Sequence, residues 1–204
     1  MNEKIFQKEQ WLYEEVLVTH LKAEDQDLDP VELYDCTIIN AKLTGSTLKR
    51  WVFENCIFKD SDLSNVTFEN CIFDQCNFVS CRMIGVDLTK NQSQSLQLSF
   101  KDCDLSLSNF SGLHLTEIQF TDSQCSETDF SHSQMSKCHF RNTRVNGAIF
   151  ENTNLNSSHL VGALDESFDL KASNLSQATI SVQTAIRLIS AMGLKVEIDP
   201  AHSS

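Results

Sequence analysis

The sequence predicts an all-β solenoid, a chain that turns a corner every five residues and fills one continuous core. Two observations predict it. Apolar residues recur at every fifth position through two long registers. Mostly small residues stand two positions before them. A period of five fits neither a helix nor a flat strand. A large and a small residue two apart point to the same side of an extended chain.

The N-terminal 27 residues are expected as a cap with an irregular first coil. Phe6 to Leu17 has helix-like spacing, with weak repeats beginning near Val18. The repeat then governs residues 28–180. Its first register reads Leu33, Ile38, Leu43, Leu48, Phe53, Phe58, Leu63, Phe68, Phe73, Phe78, Met83 and Leu88. The second runs from Phe100 through Leu105, Phe110, Leu115, Phe120, Cys125, Phe130, Met135, Phe140, Val145, Phe150 and Leu155 to Leu160. All 25 positions are apolar in a chain that is 41% apolar, and 11 of its 13 phenylalanines fall in these registers. Chance would give such a run on the order of 10⁻¹⁰ of the time, before the choice of frame. Phe58, Phe73, Phe78, Phe100, Phe120 and Phe140 are the expected core ladder.

The chain has only six glycines, few for so many tight turns. Asp or Asn often precedes the central residue, as at Asp62, Asn77, Asp87, Asp104, Asn109, Asp129 and Asn154. Their side chains can hydrogen-bond nearby backbone and turn the chain without glycine.

Segments such as Ser61-Asp62-Leu63-Ser64-Asn65 and Ser173-Asn174-Leu175-Ser176-Gln177 resemble the pentapeptide-repeat family, whose consensus is A(D/N)LXX. The resemblance covers about residues 28–180. It implies a right-handed quadrilateral parallel β-helix with four repeats per coil. Residues twenty apart should then stack. Phe100, Phe120 and Phe140 form one such column, and Phe110, Phe130 and Phe150 another. Sorting large rings onto alternate faces lets opposite walls pack at native density.

Two breaks are expected. Residues 89–97 shift the register by two, as a loop or bulge at one corner would. Residues 161–168 place Asp165 at a central position, where an acid is costly to bury, so that coil should be distorted.

After Ile180 the period changes, and residues 181–204 are expected as a C-terminal helix–strand cap. Ser181 suits an N-cap and Gly193 a helix stop. Ala185, Ile186, Leu188, Ile189 and Met192 have helical spacing, and Leu194, Val196 and Ile198 alternate as a short strand. This end resembles the quinolone-resistance (Qnr) and microcin-immunity branches of the family. There a helix and a strand end the rod and build a two-fold dimer. The resemblance implies a homodimer through Ile186, Ile189, Met192, Leu194, Val196 and Ile198. A plain cap on a monomer is the alternative.

Of eight cysteines, seven occupy the small inward slot and Cys125 a central one. Reduced thiols acting as small hydrophobes are expected, rather than disulfides or zinc ligands. His139 and His159 are twenty apart and should lie side by side. They lack further ligands, so no metal, no cofactor and no catalytic residue are assigned. Enzyme activity is not expected.

Net charge is −12, of which residues 1–32 carry −6 through nine acids and three bases. Direct nucleic-acid binding needs the opposite sign. No stretch approaches a membrane span, and Met1-Asn2-Glu3-Lys4-Ile5 carries no apolar signal core, so a cytoplasmic protein is expected. The branch resemblance implies a non-enzymatic binding protein that acts on DNA gyrase or topoisomerase IV and protects against quinolones or peptide toxins by mimicking DNA. Asp102 and Asp122 on one column, with Glu117 and Glu127 on neighbouring faces, are the expected partner-facing acids. The alternative is a general protein-interaction scaffold with an unknown partner.

Overall fold

The computed structural model describes residues 11–91, 96–164 and 173–197. The chain is a parallel β-solenoid that ends in one short helix. Each five-residue unit makes one side of a coil. Residues twenty apart pair in parallel, such as Leu33 with Phe53, Ile38 with Phe58 and Leu48 with Phe68. The central residue points inward and its two neighbours outward, so most strands are only three residues long.

Three faces carry ladders of three to seven strands, and the other is held mostly by single bridges, with one two-stranded ladder of Thr143–Arg144 and Ala163–Leu164. The first face is a four-stranded sheet of Leu12–Glu14, Glu32–Tyr34, Val52–Glu54 and Ile72–Asp74. The second is a seven-stranded sheet running from Leu17–Thr19 to His139–Arg141. Bridges such as Lys42 to Asp62 and Asp104 to Gln124 hold the third. Asp27–Leu28, Thr47–Lys49 and Thr67–Glu69 make the fourth.

Two devices turn the corners. The residue two after nearly every centre takes a positive φ, as at Asn40 (56°), Asn55 (53°), Asn65 (55°) and Asp122 (52°). In many units the carbonyl of the centre accepts the N–H three residues on, as Leu63 does from Val66 at 3.1 Å and Leu105 from Ser108 at 3.2 Å. Positive φ at the third residue of such a turn is the type II arrangement, and Asn and Asp tolerate it best after glycine. The expected Asx contacts are also present. Asp62, Asp104, Asn109 and Asp129 accept the backbone N–H two residues later, at 2.8–3.1 Å.

The core ladder is as sorted as the sequence implies. Phe78, Phe100, Phe120 and Phe140 stack on the second face with centroids 4.9–5.4 Å apart. Phe110, Phe130 and Phe150 stack on the fourth at 5.1–5.4 Å. The two columns meet edge to face across the rod, at 5.6–6.4 Å. Phe58 stacks under Phe78, and Phe73 over the first-face Phe53. Edge-to-face contact suits the ring quadrupole, so opposite walls attract as well as fill space.

Some boundaries differ from the expectation. The regular coil begins at Leu12 rather than at residue 28, and Trp11–Leu17 is strand and corner, not helix. The same five-residue frame runs back through Tyr13 and Val18, both buried. Phe6 to Gln10 lie outside the described residues. The register shift sits on the first face, whose sheet ends at Ile72–Asp74. The second face runs through it, with Phe78 pairing Phe100 across 22 residues instead of twenty. The flanks of the insertion are anchored. Asn91 donates to the Leu88 carbonyl at 2.8 Å, and the N–H of Leu96 donates to that of His114 at 3.1 Å. Asp165 lies outside the described residues.

The C-terminal helix is Val182–Ala191. Ser181 caps it, its hydroxyl accepting from the N–H of Thr184 at 3.1 Å. Gly193 follows with φ 82°. Leu188 rests on the core. The strand expected over Leu194, Val196 and Ile198 is not formed over Leu194–Glu197, and Ile198 lies outside the described residues. A strand needs a partner edge, and these residues have none among the described part of the chain.

Candidate partner-binding surface

The thiols are inside the rod. All eight cysteines are free and buried. Burial pushes the Cys56 and Cys71 thiols up to about 11, and those of Cys76 and Cys138 to about 12. Cys103 is also raised, first by its hydrogen bond with Cys81 and then by burial. Such thiols stay protonated at neutral pH and are poor nucleophiles.

The small slot has a second use. Its thiol or hydroxyl donates to a carbonyl of the coil below. Cys56 donates to Leu33 at 3.3 Å, Cys76 to Phe53 at 3.4 Å, Thr153 to Phe130 at 2.8 Å and Ser158 to Met135 at 2.7 Å. Small size and a donor together explain why Cys, Ser and Thr fill it. Trp51 breaks the size rule. It is buried in the same slot and stacks on Phe53 at 5.7 Å.

Function must therefore be sought on the surface. The four expected acids do not converge. Asp102 and Asp122 share one corner column, where Asn142 donates to Asp122 at 2.9 Å. Glu117 stands at the corner before them and is ion-paired with Lys137 at 3.0 Å. Glu127 stands at the corner after. Residues five apart occupy successive corners of a square coil, so Glu117, Asp122 and Glu127 point three ways.

A denser acidic panel lies on the first face, below the insertion. Its outward side chains come from residues 11–15, 31–35, 51–55 and 71–75. One outward column is Glu14, Tyr34, Glu54 and Asp74, and another is Leu12, Glu32, Val52 and Ile72. Glu15 and Asp35 sit on the adjoining corner. These segments hold six carboxylates and no lysine or arginine. Tyr34 donates to Glu32 at 3.1 Å, and desolvation, ahead of that bond and the Glu32 and Glu54 charges, raises its hydroxyl. Three apolar side chains and a phenol are thus interleaved with the carboxylates. Above the insertion the same face is neutral, with an amide ladder of Gln134, Asn154 and Asn174 at 3.0–3.1 Å. The panel was legible by reading twenty residues at a time, but only if the register is carried back to Tyr13.

At the upper edge of the panel is an open groove of about 620 Å³. Cys76, Leu96, Leu98 and Ile118 form its floor, and Asn55, Gln75, Asn77 and Gln97 its walls. Its lining offers amides and one carboxylate, Glu117, but no base beside a nucleophile.

The far end of the rod is apolar. Val182, Ile189, Met192, Leu194 and Val196 are exposed, and Ile186 is half-buried. Among the described residues no helix is long and apolar enough to cross a membrane.

Family models described as pentapeptide repeats match residues 38–83, 99–136 and 133–163. No curated protein sequence matches the chain. Among solved structures, a trypsin-treated form of QnrB1, a plasmid-mediated fluoroquinolone resistance protein, is 18% identical. It covers 89% of this chain and 100% of its own, with a TM-score of 0.56. Full-length QnrB1 is 15% identical over 88% of this chain and 100% of its own, with a TM-score of 0.52. HetL, a pentapeptide repeat protein involved in heterocyst differentiation regulation from the cyanobacterium Nostoc, is 11% identical over 83% and 89%, with a TM-score of 0.48.

Proposed function

The chain belongs to the pentapeptide-repeat family, and from that premise we propose that it is a non-enzymatic binding protein whose partner is DNA gyrase or topoisomerase IV. The observation that carries the proposal is the acidic panel of Glu14, Glu15, Glu32, Asp35, Glu54 and Asp74 on one stiff face. Strands ~4.8 Å apart hold these carboxylates in a fixed array. An array of that kind complements the basic surface on which a topoisomerase holds DNA. The likeness to QnrB1, described as a fluoroquinolone resistance protein, directs the choice of partner. In this reading the exposed apolar end pairs with a second copy through Ile189, Met192, Leu194 and Val196, giving a homodimer. A cytoplasmic setting, where free thiols stay reduced, fits the same reading.

The test is a gyrase supercoiling assay with and without a fluoroquinolone, using the full chain and a Glu14→Lys, Glu54→Lys, Asp74→Lys variant. Protection or inhibition by the full chain, lost in the variant, is the expected result. No effect of the full chain at micromolar concentration would sink the topoisomerase assignment.

One observation favours the second reading, a scaffold for another protein. Leu12, Val52, Ile72 and Tyr34 lie between the carboxylates, and a nucleic acid backbone offers no such apolar surface. Capture of a partner other than a topoisomerase, sensitive to Val52→Asp and Ile72→Asp, distinguishes it.

A further inference from the structure

The second face carries one cluster that the binding role leaves unused. His139 and His159 are directly paired on adjacent levels of the ladder. Both are exposed, and their rings stack with centroids 4.6 Å apart and planes 13° from parallel. Gln119 and Thr179 continue the column below and above them. The charged neighbours are Arg141, two residues along the same strand, and Lys137, two residues before it and 3.0 Å from Glu117.

We propose that His139 and His159 form a bidentate imidazole site for a divalent first-row transition cation, with water in the remaining positions. A cation about 2.0–2.1 Å from each nitrogen needs the two nitrogens about 3.0–3.4 Å apart. The rings, now 4.6 Å apart between centroids, must turn about their side-chain bonds to reach that distance. The ladder fixes both Cα positions, so the second ligand is already in place when the first binds. Imidazole selects copper, nickel or zinc over calcium or magnesium, which take oxygen ligands, and copper binds most tightly in that series. No third His, Cys, Asp or Glu joins a cluster among the described residues, so the site leaves positions open for solvent.

Copper(II) titration of the full chain, followed by calorimetry and electron paramagnetic resonance, tests the proposal. His139→Gln, His159→Gln and a control at the lone His132, His132→Gln, are compared. The expected result is one equivalent with a two-nitrogen hyperfine pattern, unchanged in the control. Either pair variant should weaken it about a hundredfold, the gain that a prepositioned second ligand gives. Zinc should compete for the same site. Copper affinity unaltered in both pair variants, or a dissociation constant above about 1 mM, overturns it.

Discussion

Most corners of the rod are turned by residues other than glycine, and their identity sets a local cost. Asn and Asp fill many of the positive-φ positions, but Leu107 holds φ 62° with its side chain 59% exposed. A branched apolar residue gains nothing there and carries the left-handed strain. Leu107→Asn should raise stability by about 1 kcal/mol, read as a shift in the urea midpoint at constant slope. The buried thiols make a second prediction. Their ordinary value is 9.0, against about 11 for Cys56 and about 12 for Cys76 in the rod. The folded chain thus keeps protons that the unfolded chain releases. The thiols' contribution is complete below pH 9 and is lost as pH rises from 9 towards 12. The denaturation midpoint should fall in that window, with a shallower fall in a Cys56→Ser, Cys76→Ser protein that keeps both slot donors.

At the scale of elements, the phenylalanine columns carry the rod's cohesion. Phe120 is fully buried, stacks on Phe100 and Phe140, and meets Phe110 and Phe130 edge to face. Phe120→Ala should cost about 3–5 kcal/mol, because flat strands on every side cannot collapse into the space. Chemical denaturation measures it, and a loss under 1 kcal/mol would mean that the walls close. The insertion acts at the same scale. It ends the first-face sheet after four strands while the second face pairs on through seven. The acidic panel therefore ends where the loop leaves, and a short panel is a defined docking site rather than a stripe along the whole rod.

The whole molecule has one acidic flank and one apolar end. If the apolar end joins two copies, a protein ending at Ile180 should sediment as a monomer while the full chain sediments as a dimer. Loss of topoisomerase action in the shorter protein would tie dimerisation to function. A monomeric full chain would leave the helix as a cap alone. Much of this was legible early. The five-residue period gave the corners, and the twenty-residue columns placed Phe100, Phe110, Phe120 and Phe130 on their faces. The candidate surface was less legible. Asp102 and Asp122 stand on one corner column with Glu117 and Glu127 on the neighbouring corners, as their spacing implies, but the denser acidic panel lies on the first face. The expected irregular start hid Leu12, Glu14 and Glu15 from that column reading.

The sequence by itself determined the solenoid, its core ladder and its buried thiols, because all three follow from a repeat that is local to five residues. Only the tertiary structure decided which acids share a panel, that the insertion lies on the first face, that most corners rest on positive φ two residues after the centre, and that Leu194–Glu197 forms no strand. These depend on the phase of one coil against the next and on whether a partner edge is present. Contacts twenty or more residues apart set both.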